Sequence, residues 1–172
     1  MENGKLNRSV VDDAELQKFL EALEEDGNEK MKLFSLISLM TGLRANQILP
    51  LKFDEMDEKA STISLILDKS SSDKQSKINV AITPLVLSLI KKEKELNPTD
   101  IYIFQSKKSN NVSNQTTKPL SRQAINFAFS KANKSAGSSI TPSKMRQICI
   151  ERFYASVKNQ AGHFMIKNYL KN

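Results

Sequence analysis

The sequence predicts a mainly helical domain that carries a small antiparallel β-sheet, an α+β fold. Apolar residues recur at helical spacing over most of the chain, and two neighbouring segments rich in β-branched residues flank a polar stretch that suits a hairpin loop. A chain of 172 residues can bury roughly 70% of its unfolded surface, so one domain with a real core is expected.

Three helices are expected before the first strand. Asp12 is an N-cap with an acidic residue three positions on, and the helix that it opens runs to about Asp26. The second helix, over residues 30–40, is apolar nearly all round, which predicts a place at the centre of the core. A Thr-Gly pair ends it, and a short helix over residues 45–49 stops at Pro50.

Two strands and a fourth helix come next. Residues 62–67 and 78–82 are predicted strands, and the polar residues 68–77 between them are a predicted hairpin loop. Thr83 is a predicted cap for a helix with proline in its first turn, which continues to about Leu96.

The final two-fifths of the chain is predicted to be largely helical. Residues 101–104 are a predicted short strand or extended segment, followed by a polar loop over residues 105–118 that we expect to be mobile. Helices are predicted over residues 120–136 and from Thr141 onward, and Gly162 precedes a last short helix.

Composition excludes several classes of protein. Cys149 is the single cysteine and His163 the single histidine, so an internal disulfide, a cysteine-rich zinc site and any site that needs two imidazoles are excluded. No apolar run approaches the roughly 18 residues of a membrane span. The first 19 residues are polar and acidic, unlike a signal peptide, and we therefore expect a cytoplasmic, nucleoid-associated protein.

Charge is distributed unevenly along the chain. Residues 1–100 contain 14 Lys and Arg against 18 Asp and Glu, whereas residues 101–172 contain 12 against a single acid, Glu151. Such a one-signed surface repels itself unless an anion relieves it, and nucleic acid is the favoured partner. A basic protein without a polyanion partner is the alternative. A membrane surface is disfavoured because the cations are spread over several elements.

Isolated cations follow two predicted breaks in the chain. Arg44 comes directly after the glycine that ends the second helix, and its planar guanidinium suits a phosphate, although an ordinary helix-terminal arginine is the alternative. Lys69 lies in the predicted hairpin loop with Lys74 and Lys77, where these side chains either reach a groove or are simply solvated.

The start of the last long helix also concentrates polar and cationic residues. Ser143, Lys144 and Arg146 lie in its first turns, where cations oppose the helix dipole and therefore indicate an anionic ligand. Near the end of the chain, His163 is a candidate proton carrier and Tyr169 a candidate nucleophile, with a surface histidine and a half-buried tyrosine as the alternatives.

In their order along the chain, these residues resemble the catalytic domain of the tyrosine recombinases, the phage-integrase family. The resemblance runs from about Asp12 to Leu170. The matching segments resemble, in turn, the family's first-arginine box, its hairpin lysine, the following strand-to-helix junction, the next DNA-facing helix and the second-arginine box: residues 40–57, 66–69, 82–85, 120–126 and 141–146.

The resemblance implies cleavage and rejoining of DNA strands through a 3′-phosphotyrosine, without a cofactor or metal. It assigns Arg44 and Arg146 to a phosphate clamp, Lys69 to general acid catalysis, His163 to a phosphate hydrogen bond and Tyr169 to nucleophilic attack. It also implies a domain over residues 12–172 behind an extension of residues 1–11, without the family's N-terminal core-binding domain.

Double-stranded DNA is the implied partner, with self-association on the DNA and no membrane. The basic residues that we expect to contact DNA are Lys74, Lys77, Lys107, Lys108, Lys118, Arg122, Lys131, Lys134 and Lys144.

The sequence departs from the family pattern at four points. Ser143 occupies the usual histidine position, Gln47 stands where glutamate is common, the segment between the second arginine and His163 is short, and Tyr169 follows His163 closely. A hydroxyl can hydrogen-bond to a phosphate, but it is not a base near pH 7. Because Tyr169 follows His163 more closely than is usual in the family, Tyr154 is the fallback nucleophile.

These departures leave two other hypotheses open. The chain could be a catalytically degenerate recombinase-like protein that binds DNA without cutting it, or acts as an accessory. It could also be a metal-dependent nuclease that uses acids around the predicted hairpin: Asp54, Glu55, Asp57 or Asp68 near Lys69.

Overall fold

Helices and a small sheet make up the part of the chain that this computed structural model describes, residues 11–67, 76–107 and 117–161. The predicted class, mainly α with a small antiparallel sheet, is confirmed. The helices of the described residues are α1 (Asp13–Glu25), α2 (Glu29–Thr41), α3 (Ala45–Ile48), α4 (Pro84–Leu96), α5 (Arg122–Ala136) and α6 (Pro142–Ala161), and the strands are β1 (Met56–Asp57), β2 (Thr62–Leu67) and β3 (Ser76–Ala81).

Helix α2 lies at the centre of the core, as its apolar surface predicts. Phe34 and Ile37 on this helix are fully buried. The Phe34 ring meets the rings of Phe104 and Phe129 edge-on, with centroids 5.9 and 6.0 Å apart, while Phe19 of α1 packs against Phe129 at 4.9 Å. Aromatic contacts therefore join α1, α2, α5 and the segment after α4, and they hold α5 against the core.

The sheet differs from the prediction in its third strand. Its order is β1-β2-β3, with Met56 opposite Ile63 and Ile63 opposite Val80, all antiparallel. Residues 101–104, predicted as a short strand or extended segment, do not join the sheet: this segment makes a single bridge, between Lys52 and Tyr102.

A side chain explains why residues 101–104 turn. The Gln105 Oε1 atom accepts hydrogen bonds from the backbone N–H groups of Ile101 and Tyr102, at 2.9 and 3.4 Å. Donors that would form a strand ladder are thus taken locally. The third strand is β1, which is too short to show a period in the sequence and forms because it pairs with β2.

Side-chain caps fix where the helices near the cleft begin. Ser121 Oγ accepts a hydrogen bond from the Ala124 N–H at 3.2 Å, and Thr141 Oγ1 accepts one from the Lys144 N–H at 3.1 Å. Residues 68–75 of the predicted hairpin loop, most of the predicted polar loop and the predicted helix after Gly162 lie outside the described residues, whereas residues 76 and 77, predicted in the hairpin loop, belong to β3. Within the described ranges, no helix has the length and apolar character needed to cross a membrane.

Candidate functional site

Arg44 is presented by the junction between α2 and α3. Helix α2 ends at Gly42, whose φ of 67° is the left-handed conformation that glycine adopts without strain. The buried side chain of Leu43 anchors the next residue in the core. Arg44 is the N-cap of α3, with extended backbone and an exposed side chain.

Gln47 fixes the Arg44 backbone from both sides. Its Oε1 atom accepts a hydrogen bond from the Arg44 N–H at 2.9 Å, and its own N–H donates to the Arg44 carbonyl at 2.8 Å. A neutral amide oxygen makes this bond as a carboxylate would, but it places no negative charge beside the guanidinium. The glutamine at this position therefore leaves the charge of Arg44 available to a ligand.

Arg146 reaches the same junction from the other end of the sequence. It lies in the first turns of α6, next to the fully buried Met145. Its Nε atom donates to the Gly42 carbonyl at 2.9 Å, across 104 positions of sequence. The bond uses Nε alone, and within the described residues the terminal guanidinium nitrogens form no hydrogen bond or ion pair.

Close packing of α2 against α6 makes that contact possible. A Cβ at position 42 would lie 3.4 Å from the Sγ atom of Cys149, one turn beyond Arg146 on α6. Burial raises the pKa of the Cys149 thiol, while the charges of Arg146 and Arg152 act in the opposite direction. The thiol therefore stays neutral near pH 7 and serves as a small packing group beneath the arginines.

The starts of α3, α5 and α6 enclose one cleft with a volume of about 550 Å³. Three of its lining residues are arginines and none is acidic. The full set is Arg44, Ala45, Arg122, Ile125, Asn126, Thr141, Pro142, Ser143 and Arg146.

This cleft is suited to an anion. Three guanidiniums without an acidic lining residue repel one another, and an anion relieves that repulsion. The guanidinium fork matches phosphate oxygens, and the N-terminus of the 20-residue helix α6 adds free N–H groups at the same place. Ser143 also lines the cleft and offers a hydroxyl that can hydrogen-bond to a phosphate.

Arg122 is the residue whose position sequence reasoning missed. It was expected to contact DNA, but the structure brings it into the same cleft as Arg44 and Arg146. Its signal in the sequence is a cation at the first position of a capped helix, against the helix dipole. Asn126, one turn further along α5, lines the cleft as well and was not singled out.

Other predicted site residues lie away from the cleft or outside the described residues. Tyr154 is eight positions beyond Arg146 on α6, about 12 Å along the helix axis, and its exposed ring contacts Phe153. It is not among the lining residues of the cleft. The predicted residues outside the described ranges are Asp68, Lys69, Lys74, Lys108, His163 and Tyr169.

Several of the predicted DNA-contacting lysines have partners within the protein. Lys131 pairs with Asp26 at 3.0 Å, Lys107 donates to the Asn97 side chain, and Lys144 donates to Ser139 Oγ at 2.8 Å. Lys118 and Lys134 are exposed, and no ion pair or side-chain hydrogen bond joins either to the rest of the described chain.

Lys77 lines a second, more acidic cleft of about 720 Å³ beside the sheet. Four carboxylates and three lysines line it, which disfavours a phosphate. The charged lining residues are Lys52, Lys59, Lys77, Asp54, Glu55, Asp57 and Glu58.

Two of these acids cap turns, as solvated turn residues do. Glu55 accepts from the Lys52 N–H and Asp57 accepts from the Ala60 N–H, each at 2.9 Å. Among the residues that the structure describes, no group of three or more His, Cys, Asp or Glu side chains could hold a metal ion.

Comparison with solved structures identifies the class of fold. The chain is similar to the XerA recombinase (TM-score 0.63, 19% identity, 85% of this chain and 49% of that chain) and to the lambda integrase catalytic core (0.61, 17%, 90% and 91%). It is also similar to the XerH site-specific recombinase bound to its difH substrate (0.60, 21%, 92% and 48%). Its fold is therefore that of tyrosine-recombinase catalytic domains.

The sequence itself gives the family. The profile of the Phage integrase family matches residues 9–161, and the chain belongs to that family. It spans about half the length of the XerA and XerH chains. A comparison with curated proteins finds no match.

Proposed function

We propose that this chain cleaves and rejoins DNA strands as the catalytic domain of a tyrosine recombinase. The observation that carries the proposal is the cleft in which Arg44, Arg122 and Arg146 meet with no acidic lining residue. Membership of the Phage integrase family supports DNA as the polyanion.

The scissile phosphodiester binds in this cleft, where Arg44 and Arg146 stabilise the charge that develops on its oxygens. Arg146 is held by the Gly42 carbonyl through Nε, so its terminal nitrogens are preorganised for the phosphate. Ser143 contributes a neutral hydrogen bond at the position where the family usually has histidine.

Tyr169 is the proposed nucleophile. Its hydroxyl loses its proton to solvent, and the oxygen forms the new bond to phosphorus while the bond to the 5′-oxygen breaks; Lys69 gives a proton to that leaving oxygen. His163 donates a hydrogen bond to the phosphate. The 5′-hydroxyl of a second strand reverses these steps and releases the tyrosine, so no cofactor or metal is required.

Several copies act together on paired sites in this proposal. A lambda integrase tetramer bound to a Holliday junction is among the similar structures, which supports assembly on DNA. Such an activity places the protein with the nucleoid in the cytoplasm.

A duplex with a nick beside the cleavage site tests the chemistry, because the short leaving strand diffuses away and traps the covalent adduct. The nicked duplexes carry DNA sites that the protein itself selects from a randomised duplex library. We expect an adduct that survives denaturing electrophoresis, is lost in Tyr169→Phe and persists in the matched control Tyr154→Phe. An adduct lost in Tyr154→Phe alone would move the nucleophile to α6 and contradict the assignment.

A DNA-binding protein without cleavage is the second candidate. It is favoured by Ser143, which lines the cleft without supplying a base, and by the distance of Tyr154 from the cleft. No adduct in any variant, together with retained salt-sensitive binding to duplex DNA, would establish this alternative in place of the first.

A further inference from the structure

Helix α5 carries an exposed aromatic side chain that the core does not use. Phe127 is 77% exposed, the highest value among the exposed large hydrophobic residues of the described ranges. The buried face of α5 is complete without it, since Ile125, Ala128 and Phe129 already pack into the core. Folding therefore gives no reason for a phenylalanine at this position.

Phe127 stands next to the cleft in sequence but faces outward. It follows Asn126, a lining residue, and is turned from it by about 100° around the helix. It lies five residues beyond Arg122, about 7.5 Å along the axis. That distance is about two base steps of 3.4 Å. Five residues also turn Phe127 about 140° around the helix from Arg122, so the ring reaches bases where α5 lies along a groove of the duplex whose phosphate Arg122 binds.

The surroundings of Phe127 are compatible with DNA and disfavour a basic or purely apolar partner. Helix α5 contains no acidic residue. Gln123 lies one turn before Phe127 and Lys134 two turns after it, and both are exposed. An exposed glutamine can read adenine, a lysine can contact phosphate, and a phenylalanine can contact the methyl group of thymine in the major groove.

We propose that Phe127 contacts the 5-methyl group of a thymine close to the bound phosphate and so contributes to the choice of DNA site. This inference rests on the proposed function, because it requires the arginine cleft to bind DNA. Because the ring is 77% exposed, we expect its contribution to be to specificity and not to stability.

Selection from a randomised duplex library tests the inference. Wild type, Phe127→Ala and Phe153→Ala are each used to enrich binding sites. Phe153 is the matched control, since it is an exposed phenylalanine on α6 that does not line the cleft. We expect wild type and Phe153→Ala to enrich the same thymine, and Phe127→Ala to lose that preference while its melting temperature stays unchanged.

Replacing the enriched thymine by deoxyuridine isolates the methyl group. Wild type should bind the uracil duplex about fourfold more weakly, the size of one buried methyl group, and Phe127→Ala should bind both duplexes equally. Enrichment of the same thymine by Phe127→Ala, or no thymine preference in wild type, would overturn the inference and leave the proposed function standing.

Two other outcomes also contradict the inference. Altered sedimentation of Phe127→Ala without DNA, at unchanged site preference, would assign the ring to contact with a second copy of the chain. Absence of salt-sensitive binding by wild type to any duplex would overturn the proposed function together with this inference.

Discussion

Two groups of charged residues in this molecule differ in whether opposite charges lie beside them. Lys30 pairs with Glu93 at 2.9 Å and with Asp100 at 3.4 Å, and all three side chains are largely buried. In the cleft, Arg44 and Arg146 meet without an acidic lining residue. The first group is a closed network within the fold, whereas the second leaves its positive charge unbalanced.

Amides complete the buried network. Gln105 Nε2 donates to Asp100 at 2.9 Å and Asn97 Nδ2 donates to Glu93 at 2.7 Å. The network joins the start of α2 to the end of α4 and to the turn that precedes the polar loop. Paired charge in this domain joins elements of the fold, whereas the cleft charge, which has no acidic lining residue beside it, is available to an anion.

The largest expected effect lies in the cleft. Arg44→Ala and Arg146→Ala should each reduce covalent adduct formation by about 10²- to 10³-fold, because each removes a positioned donor to the phosphate. The rate of adduct formation on the nicked duplex measures this. Arg152→Ala is the control, since Arg152 is paired with Asp13. Loss of folding in both cleft variants would mean that these arginines are structural, and the contrast with the buried network would disappear.

A substitution in the buried network should lower stability, in contrast to the cleft variants, which should lower the rate of adduct formation. Lys30→Met leaves two carboxylates without their cation and should lower the free energy of unfolding by about 2–3 kcal/mol, somewhat less than for a fully buried pair. Urea denaturation measures this. Lys92→Met removes the exposed partner of Glu29 and should change stability by less than about 1 kcal/mol. Equal effects of the two variants would refute a structural role for the network.

Two lysines of α5 repeat the contrast between paired and unpaired charge, with smaller expected effects on DNA binding. Lys134→Ala should weaken duplex binding a few-fold and reduce the salt dependence by about one counterion, because Lys134 is exposed and carries no ion pair within the described chain. Lys131→Ala should change binding less, since Asp26 already pairs with that lysine. Duplex binding is measured across a salt series. The same slope of affinity against salt concentration for both variants would contradict the difference between Lys131 and Lys134.

An exposed pair should give the smallest effect. The hydrogen bond from Lys32, 2.6 Å long, lowers the pKa of Glu24 below its ordinary value. A lowered pKa means that the carboxylate stabilises the fold at neutral pH and that this contribution is lost as the pH falls through the lowered pKa. Any stability difference between wild type and Glu24→Gln should therefore vanish in acid, and a difference that grows in acid would contradict this sign.

Much of the fold could be predicted because its signals are local. The apolar surface of α2 predicted its central position, and the caps at Thr83 and Thr141 predicted where two helices begin. Strand β1 could not be predicted, because two residues show no period and pair only when β2 is present. The turn after α4 was missed because Gln105 replaces the ladder that the apolar residues suggested.

Two arginines of the site could be predicted from signals in the sequence. Arg44 and Arg146 could be singled out from glycine, proline and the helix dipole, and the structure brings both to one cleft. Arg122 has a local signal as a cation at the start of a capped helix, but its place in the cleft depends on how α5 packs beside α3 and α6. Charge counting likewise could not distinguish Lys131, whose partner Asp26 lies over a hundred positions earlier.

The nuclear magnetic resonance of arginine side chains tests the central claim most directly. Guanidinium signals are assigned by substitution and followed while a short duplex is added at low salt. We expect the signals of Arg44, Arg122 and Arg146 to shift together, because the three residues line one cleft. The signal of Arg152, which is paired with Asp13, should not shift. Shifts at Arg152 with unchanged signals from the three cleft arginines would contradict the account.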